Sequence, residues 1–256
     1  MKSLERDLRT IRDSGRKLLV PYFMGGLTED WTDHVAAAVL AGADAVEIGI
    51  PFSDPMMDGP VIQEAALHAL ARGATLDSIC EDLSRLDVTV PLIAMTYYNI
   101  VLHYGLERAA GKLASNGIRG AIVPDLPLEE TDEWMMACDG ADVAAILLVA
   151  PSTPPERVDR LAARTQGFAY ASARMAVTGR SDGGGDGERV VRSIRRTSDV
   201  PALIGIGIAT PDQAREAAHT SDGVIVGSAL VQIILDGGGA SVIENFIRDF
   251  RSAIDP

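Results

Sequence analysis

The chain has 256 residues, 47% hydrophobic and 23% charged, enough apolar material for one core, and is read as a single barrel-sized domain over residues 1–256. Its net charge of −13 leaves no basic face for nucleic acid, and no apolar run approaches the ~20 residues of a membrane span. The first 17 residues are charged throughout without the apolar segment of a secretory signal, and Cys80 and Cys138 lack CxxC spacing, so the expectation is a cytoplasmic chain with two buried thiols and no metal site.

Short apolar runs alternate with amphipathic stretches from one end to the other. Strands are predicted over residues 18–23, 45–50, 92–96, 120–123, 144–149, 167–171, 202–206 and 223–226. Helices are predicted over 32–41, 76–86, 106–115, 129–138, 155–164, 188–196, 211–218 and 240–253. Eight strands, each followed by a helix, outline a (β/α)8 TIM barrel. Periodicity alone also permits a doubly wound open sheet, but even spacing without a GxGxxG after the first strand favours the barrel. Two insertions break the pattern: a short helix over 61–71 after the second strand and another over 228–235 after the eighth. The glycine-rich stretch 182–187 reads as a mobile loop.

Strand C-terminal ends carry the chemistry of such barrels. In Ala45-Val46-Glu47-Ile48-Gly49-Ile50 the aliphatic residues share one face, which belongs beneath the helices, so Glu47 points inward. A carboxylate buried there must be paired, or its pKa rises toward neutrality, where it can act as both acid and base. The loop that follows, residues 51–60, is stiffened by three prolines and carries Asp54 and Asp58. Taken alone these are turn or capping residues; just beyond Glu47 they complete an acid/base constellation. Late in the chain, glycines at 177–179, 205–208 and 226–228 stand where barrels build a phosphate cradle, after strands seven and eight and at the start of a short helix.

Met56-Met57 and Met135-Met136 are expected to pack in core or loop rather than present a partner surface. Trp31 and Trp134 read as helix-packing residues. His34, His68, His103 and His219 lack ligand spacing and read as surface or packing residues.

The segment PFSDPMMDGP at 51–60, behind VEIGI, resembles the signature of the tryptophan synthase α subunit family. MTYYNIV at 95–101, VPDLPLEE at 123–130, RMAVTG at 174–179, PALIGIGI at 201–208 and VGSALVQII at 226–234 resemble further family segments in the same order. The resemblance implies cleavage of indole-3-glycerol phosphate to indole and glyceraldehyde-3-phosphate, without metal or organic cofactor. It implies Glu47 as the catalytic proton shuttle, Asp58 as the partner of the indole N–H, and Tyr170 as the active-site tyrosine near the glutamate. Tyr22, Tyr97 and Ile122 fall where the family lines its indole pocket. Gly179, Gly207, Gly227 and Ser228 match the phosphate-binding positions, and Thr178 the loop threonine that closes over the site. A tryptophan synthase β subunit is the implied partner in an α2β2 complex, receiving indole through a tunnel, with the loop around Asp54 and the 123–130 region facing it. The alternatives are a stand-alone lyase and a weakly catalytic activator of the β subunit, the latter suggested by Met175-Ala176, where the family carries a small pair.

Overall fold

The computed structural model describes residues 1–172 and 184–255. Strands β1 (Leu18–Met24), β2 (Val46–Gly49), β3 (Leu92–Met95), β4 (Ile118–Ile122), β5 (Ala144–Val149), β6 (Ala169–Ser172), β7 (Ala202–Gly205) and β8 (Gly223–Val226) are parallel and close in that order into a barrel. The β8 pairing with β1, Leu18 opposite Gly223, excludes an open sheet. Helix α1 (Ser3–Asp13) precedes the barrel, α2 (Trp31–Leu40) follows β1, and α3 (Pro60–Ala71) and α4 (Leu76–Ser84) follow β2. Next come α5 (Tyr98–Tyr104) and α6 (Leu106–Ser115) after β3, α7 (Thr131–Gly140) after β4, and α8 (Pro155–Arg164) after β5. The circuit ends with α9 (Gly184–Ile194), α10 (Pro211–Thr220), and then α11 (Ser228–Leu235) and α12 (Ala240–Ile254) after β8. Both expected insertions, α3 and α11, are therefore present.

Local chemistry starts several of these helices. Pro60, Pro155 and Pro211 open α3, α8 and α10, where the missing N–H has no helical partner to lose. Thr75 and Thr210 close reciprocal capping boxes with Ser78 and Gln213. Alternation along the strands sorts two apolar layers. Val46, Ile48 and Ile50 belong to the layer between sheet and helices, whereas Leu18, Val20, Ala45, Ile93, Ile122, Ile146, Phe168, Leu203 and Ile225 fill the barrel.

The floor of the barrel holds a helix that is not among the predicted elements. Leu4 and Leu8 of α1, one turn apart, are fully buried in the interior layer, with Ile11 packed beside them. Gly120 and Gly167 make room: a Cβ at either would stand 2.6 or 2.9 Å from Leu4 Cδ2. Arg9 and Arg12 anchor the helix to Asp199, and Arg119 pairs with Asp7 (2.6 Å). Leu4→Ala is expected to cost about 2–5 kcal/mol in urea unfolding through the cavity it leaves. The turnover rate per folded molecule should stay unchanged, because the strands' C-terminal ends are remote.

Nearby, the carboxylate of Asp44 is buried and accepts from Arg251 Nη1 (2.8 Å), Arg16 Nε (2.9 Å) and the Leu19 amide (2.9 Å). Arg251 also donates to the Lys17 carbonyl (2.8 Å), tying α12 to the strand N-termini.

Three expectations require correction. Met56, Met57 and Met136 do not pack but are 83%, 56% and 66% exposed. The first two ride on the loop that leaves β2, and Met136 lies on the outer face of α7, whose Trp134, Ala137 and Cys138 take the buried positions. Helix α9 begins at Gly184, inside the stretch read as a loop; Asp186 suits its positive N-terminal end and pairs with Arg189 (2.9 Å), offsetting the low helix propensity of glycine. Helix α5 was not predicted, because its leading amide, Tyr98 N–H, is held by Asp125 Oδ1 (2.8 Å) from the loop after β4 rather than by a local cap. Trp31 and Trp134 pack as expected, Trp31 also donating to Asp82 (3.0 Å), and Cys80 and Cys138 are buried free thiols.

Candidate active site at the barrel mouth

Alternation on β2 turns Glu47 into the barrel, where it is 1% exposed. Its Oε2 has no hydrogen-bond partner. Among the described residues no cation pairs with it, so the reading of a paired structural carboxylate lacks its base. Burial, and then the charge of Asp58, push its pKa to about 8.

Asp58 is half-buried in the loop after β2 and held by Tyr97 from just beyond β3. The Tyr97 hydroxyl donates to Asp58 Oδ2 (3.0 Å) and accepts from the Met57 amide (3.1 Å), while Gln63 Nε2 donates to the Asp58 carbonyl (2.8 Å). Phe52 stacks on the Tyr97 ring at 5.1 Å, closing the loop over it. Burial raises the Asp58 pKa to about 6 against the lowering effect of the Tyr97 bond. Asp54 does not join the constellation: it is exposed and accepts from Ser53 Oγ (2.5 Å).

Tyr22 at the end of β1 and Tyr170 on β6 are both buried. Desolvation holds both phenols well above their ordinary pKa, with further repulsion from Asp58 and Glu47, which puts the two rings in the same electrostatic neighbourhood as the carboxylates. Ile122 ends β4 inside the barrel, fully buried, and its carbonyl accepts from the Thr96 amide (3.0 Å). Sequence reading passed over Gly49 and took Gly205 only as part of a phosphate-cradle segment, whereas the bare backbones of both face the two tyrosine hydroxyls; a glycine on an inward strand position was the available signal.

Across the mouth, β7 runs into Ile206 and Gly207, both with left-handed backbone (φ 67° and 94°). For a β-branched residue that conformation is strained and held by its surroundings. Gly227 precedes α11, and the Leu230 amide makes the first helical bond back to its carbonyl (2.9 Å). The amides of Ser228 and Ala229 come before that bond, at the positive end of the helix, as an anion site requires. Thr178 and Gly179 lie outside the described residues.

A closed eight-stranded parallel barrel with two carboxyl groups of raised pKa, Glu47 and Asp58, and amide-bearing turns after strands seven and eight has the architecture of a barrel enzyme with its site at the strands' C-terminal ends. The family model of the tryptophan synthase alpha chain matches residues 8–249. The chain is 38% identical to the tryptophan synthase alpha chain of Synechocystis sp., covering 99% of this chain and 100% of that one. It is 41% identical to that of Roseiflexus sp., covering 98% and 100%. A structure of Mycobacterium tuberculosis tryptophan synthase superposes with a TM-score of 0.92 at 32% identity, covering 100% of this chain and 99% of that one. The tryptophan synthase subunit alpha of Legionella pneumophila gives 0.89 at 29% identity, covering 99% and 98%. The chain therefore belongs to the tryptophan synthase alpha chain family, carbon–carbon lyases whose reaction cleaves indole-3-glycerol phosphate.

Proposed function

We propose that this chain performs the cleavage with Glu47 as the proton shuttle and Asp58 as the counter-charge of the ring nitrogen. The observation that carries the reading is the unpaired, buried Glu47 carboxyl, with a pKa of about 8, opposite Asp58 at about 6. Near neutral pH these values leave Glu47 protonated and Asp58 ionised. Glu47 protonates indole C3, and the positive N–H that results is stabilised by the Asp58 carboxylate in a water-poor site. The C3–glycerol bond then breaks, its electron pair returning to the ring. The hydroxyl on the departing carbon becomes the aldehyde and surrenders its proton to Glu47, which ends as it began. Proton transfers are all the reaction demands, and these side chains supply them.

Tyr97 and Ile122 wall the indole side with Tyr22, and Tyr170 positions the Glu47 carboxyl. Gly207, Gly227 and Ser228 hold the phosphate through backbone amides, while the roles of Thr178 and Gly179 rest on the family resemblance alone. The partner is a tryptophan synthase β subunit in an α2β2 assembly that takes the indole. Exposed Met56, Met57 and Leu102, on segments rising from the ends of β2 and β3, support that docking face. The reading places the chain in the cytoplasm, supported by its free thiols.

The test is indole release from indole-3-glycerol phosphate by the purified chain, with and without a β subunit. Slow release that accelerates with the β subunit is expected. Absence of release in both conditions would overturn the reading. Within the site, Tyr97→Phe removes a bond that favours ionised Asp58, so the acid limb of the rate profile should move to higher pH with the basic limb in place.

A further inference from the structure

Two tyrosines reach the barrel axis by the same local device. Tyr22 on β1 is the register partner of Glu47 on β2, and Gly49 lies two residues further along β2. A Cβ built on Gly49 would stand 2.0 Å from the Tyr22 hydroxyl oxygen. Tyr170 on β6 pairs with Leu203 on β7, Gly205 lies two residues further, and a Cβ there would stand 2.4 Å from the Tyr170 hydroxyl. Each hydroxyl therefore fills the volume of a side chain missing from the next strand. Two strand interiors give up a packed side chain for this placement.

On β2 the vacated position shares its face with Glu47. Residues 47 and 49 are one same-face step apart, about 6.6 Å along the strand, so the Tyr22 hydroxyl is the axial neighbour of the Glu47 carboxyl. The other end of the side chain is fixed as well. A Cβ on Gly227 would lie 3.6 Å from Tyr22 Cβ and 3.9 Å from its Cγ, so the root of the ring rests on the turn that opens α11. Tyr22 thus spans the distance from the phosphate cradle to the proton shuttle. In indole-3-glycerol phosphate the atoms that lie between phosphate and ring are the glycerol carbons and their hydroxyls.

Resting on the function proposed above, we infer that Tyr22 is a catalytic residue of the glycerol end, its hydroxyl donating to the oxygen on the ring-bonded carbon while Glu47 removes that oxygen's proton. The O–H electron pair becomes the aldehyde π bond, the C–C pair returns to the indole ring, and the proton ends on Glu47. Tyr22 keeps its own proton throughout, as a phenol held far above its ordinary pKa by burial must. The donor stabilises the negative charge that grows on the oxygen during bond cleavage. Tyr22 is then more than the indole-pocket wall that family resemblance makes it.

Tyr22→Phe in the full chain tests the assignment, because it removes the hydroxyl and leaves the ring on Gly227. Steady-state rates with indole-3-glycerol phosphate should be measured beside the affinity for 3-(indol-3-yl)propyl phosphate, which has ring and phosphate without side-chain hydroxyls. Loss of one hydrogen bond to a developing charge predicts a fall in kcat/KM of about 10- to 100-fold, mostly in kcat, with analogue affinity unchanged. Equal loss of substrate turnover and analogue affinity would reduce Tyr22 to a packing residue, and full activity would remove it from the mechanism. A wild-type chain that neither releases indole nor binds the analogue would instead overturn the underlying function.

Discussion

Glu47→Gln is expected to abolish indole release and, at neutral pH, to make the folded protein more stable. Glutamine keeps the shape of the side chain but can neither give a proton to C3 nor take one from the hydroxyl, so both proton transfers fail. The stability effect follows from the raised pKa, which moves from 4.5 to about 8 on folding. Below the lower value Glu47 is protonated in both the folded and the unfolded chain and carries no penalty. As pH rises toward the upper value, the unfolded chain releases this proton and the folded one retains it, so wild-type stability declines across that window. The full difference is on the order of 5 kcal/mol, and the glutamine variant escapes it. Urea unfolding at pH 5 and pH 8 should show the variant gaining on the wild type between the two. A constant gap, or appreciable turnover by the variant, would remove Glu47 from its role.

The second large effect concerns Asp58. Because the proposed mechanism starts with Asp58 ionised and Glu47 protonated, kcat/KM should follow a bell with limbs near pH 6 and pH 8. Asp58→Asn removes the charge opposite the indole nitrogen and should lower turnover by about 10²- to 10³-fold. The acid limb should vanish with the group that titrates there. The basic limb should move to lower pH, because the Asp58 charge is one of the two causes that raise the Glu47 pKa. Near-native turnover, or a basic limb that stays in place, would count against the pairing of these carboxylates.

Much of this site is legible in the chain because strand alternation is a local rule. Val46, Ile48 and Ile50 point Glu47 inward without reference to anything distant, and the structure places all four as expected. The same rule separates Asp58 from Asp54 only poorly, since the difference between them is the hydroxyl of Tyr97, 39 residues further on. Helix α5 depends likewise on Asp125, 27 residues away. Helix α1 was legible too, since Leu4, Leu8 and Ile11 stand at helical spacing, but what makes those three matter is a glycine-lined socket formed by β4 and the approach to β6. The left-handed Ile206 has no sequence signature, because a β-branched residue is the last choice for that backbone.

The plugged floor separates the two ends of the barrel in a way that matters for engineering. Helix α1, the Asp199 cluster and the buried Asp44–Arg251 pair secure the strand N-termini, whereas Glu47 and Asp58, the proposed catalytic pair, stand toward the opposite rim. Substitutions that raise heat resistance often reduce turnover when they stiffen or relieve a working site. In this chain the floor can be re-engineered for durability, or used as the point of attachment to a solid support through either terminal helix, with the working rim left facing the medium.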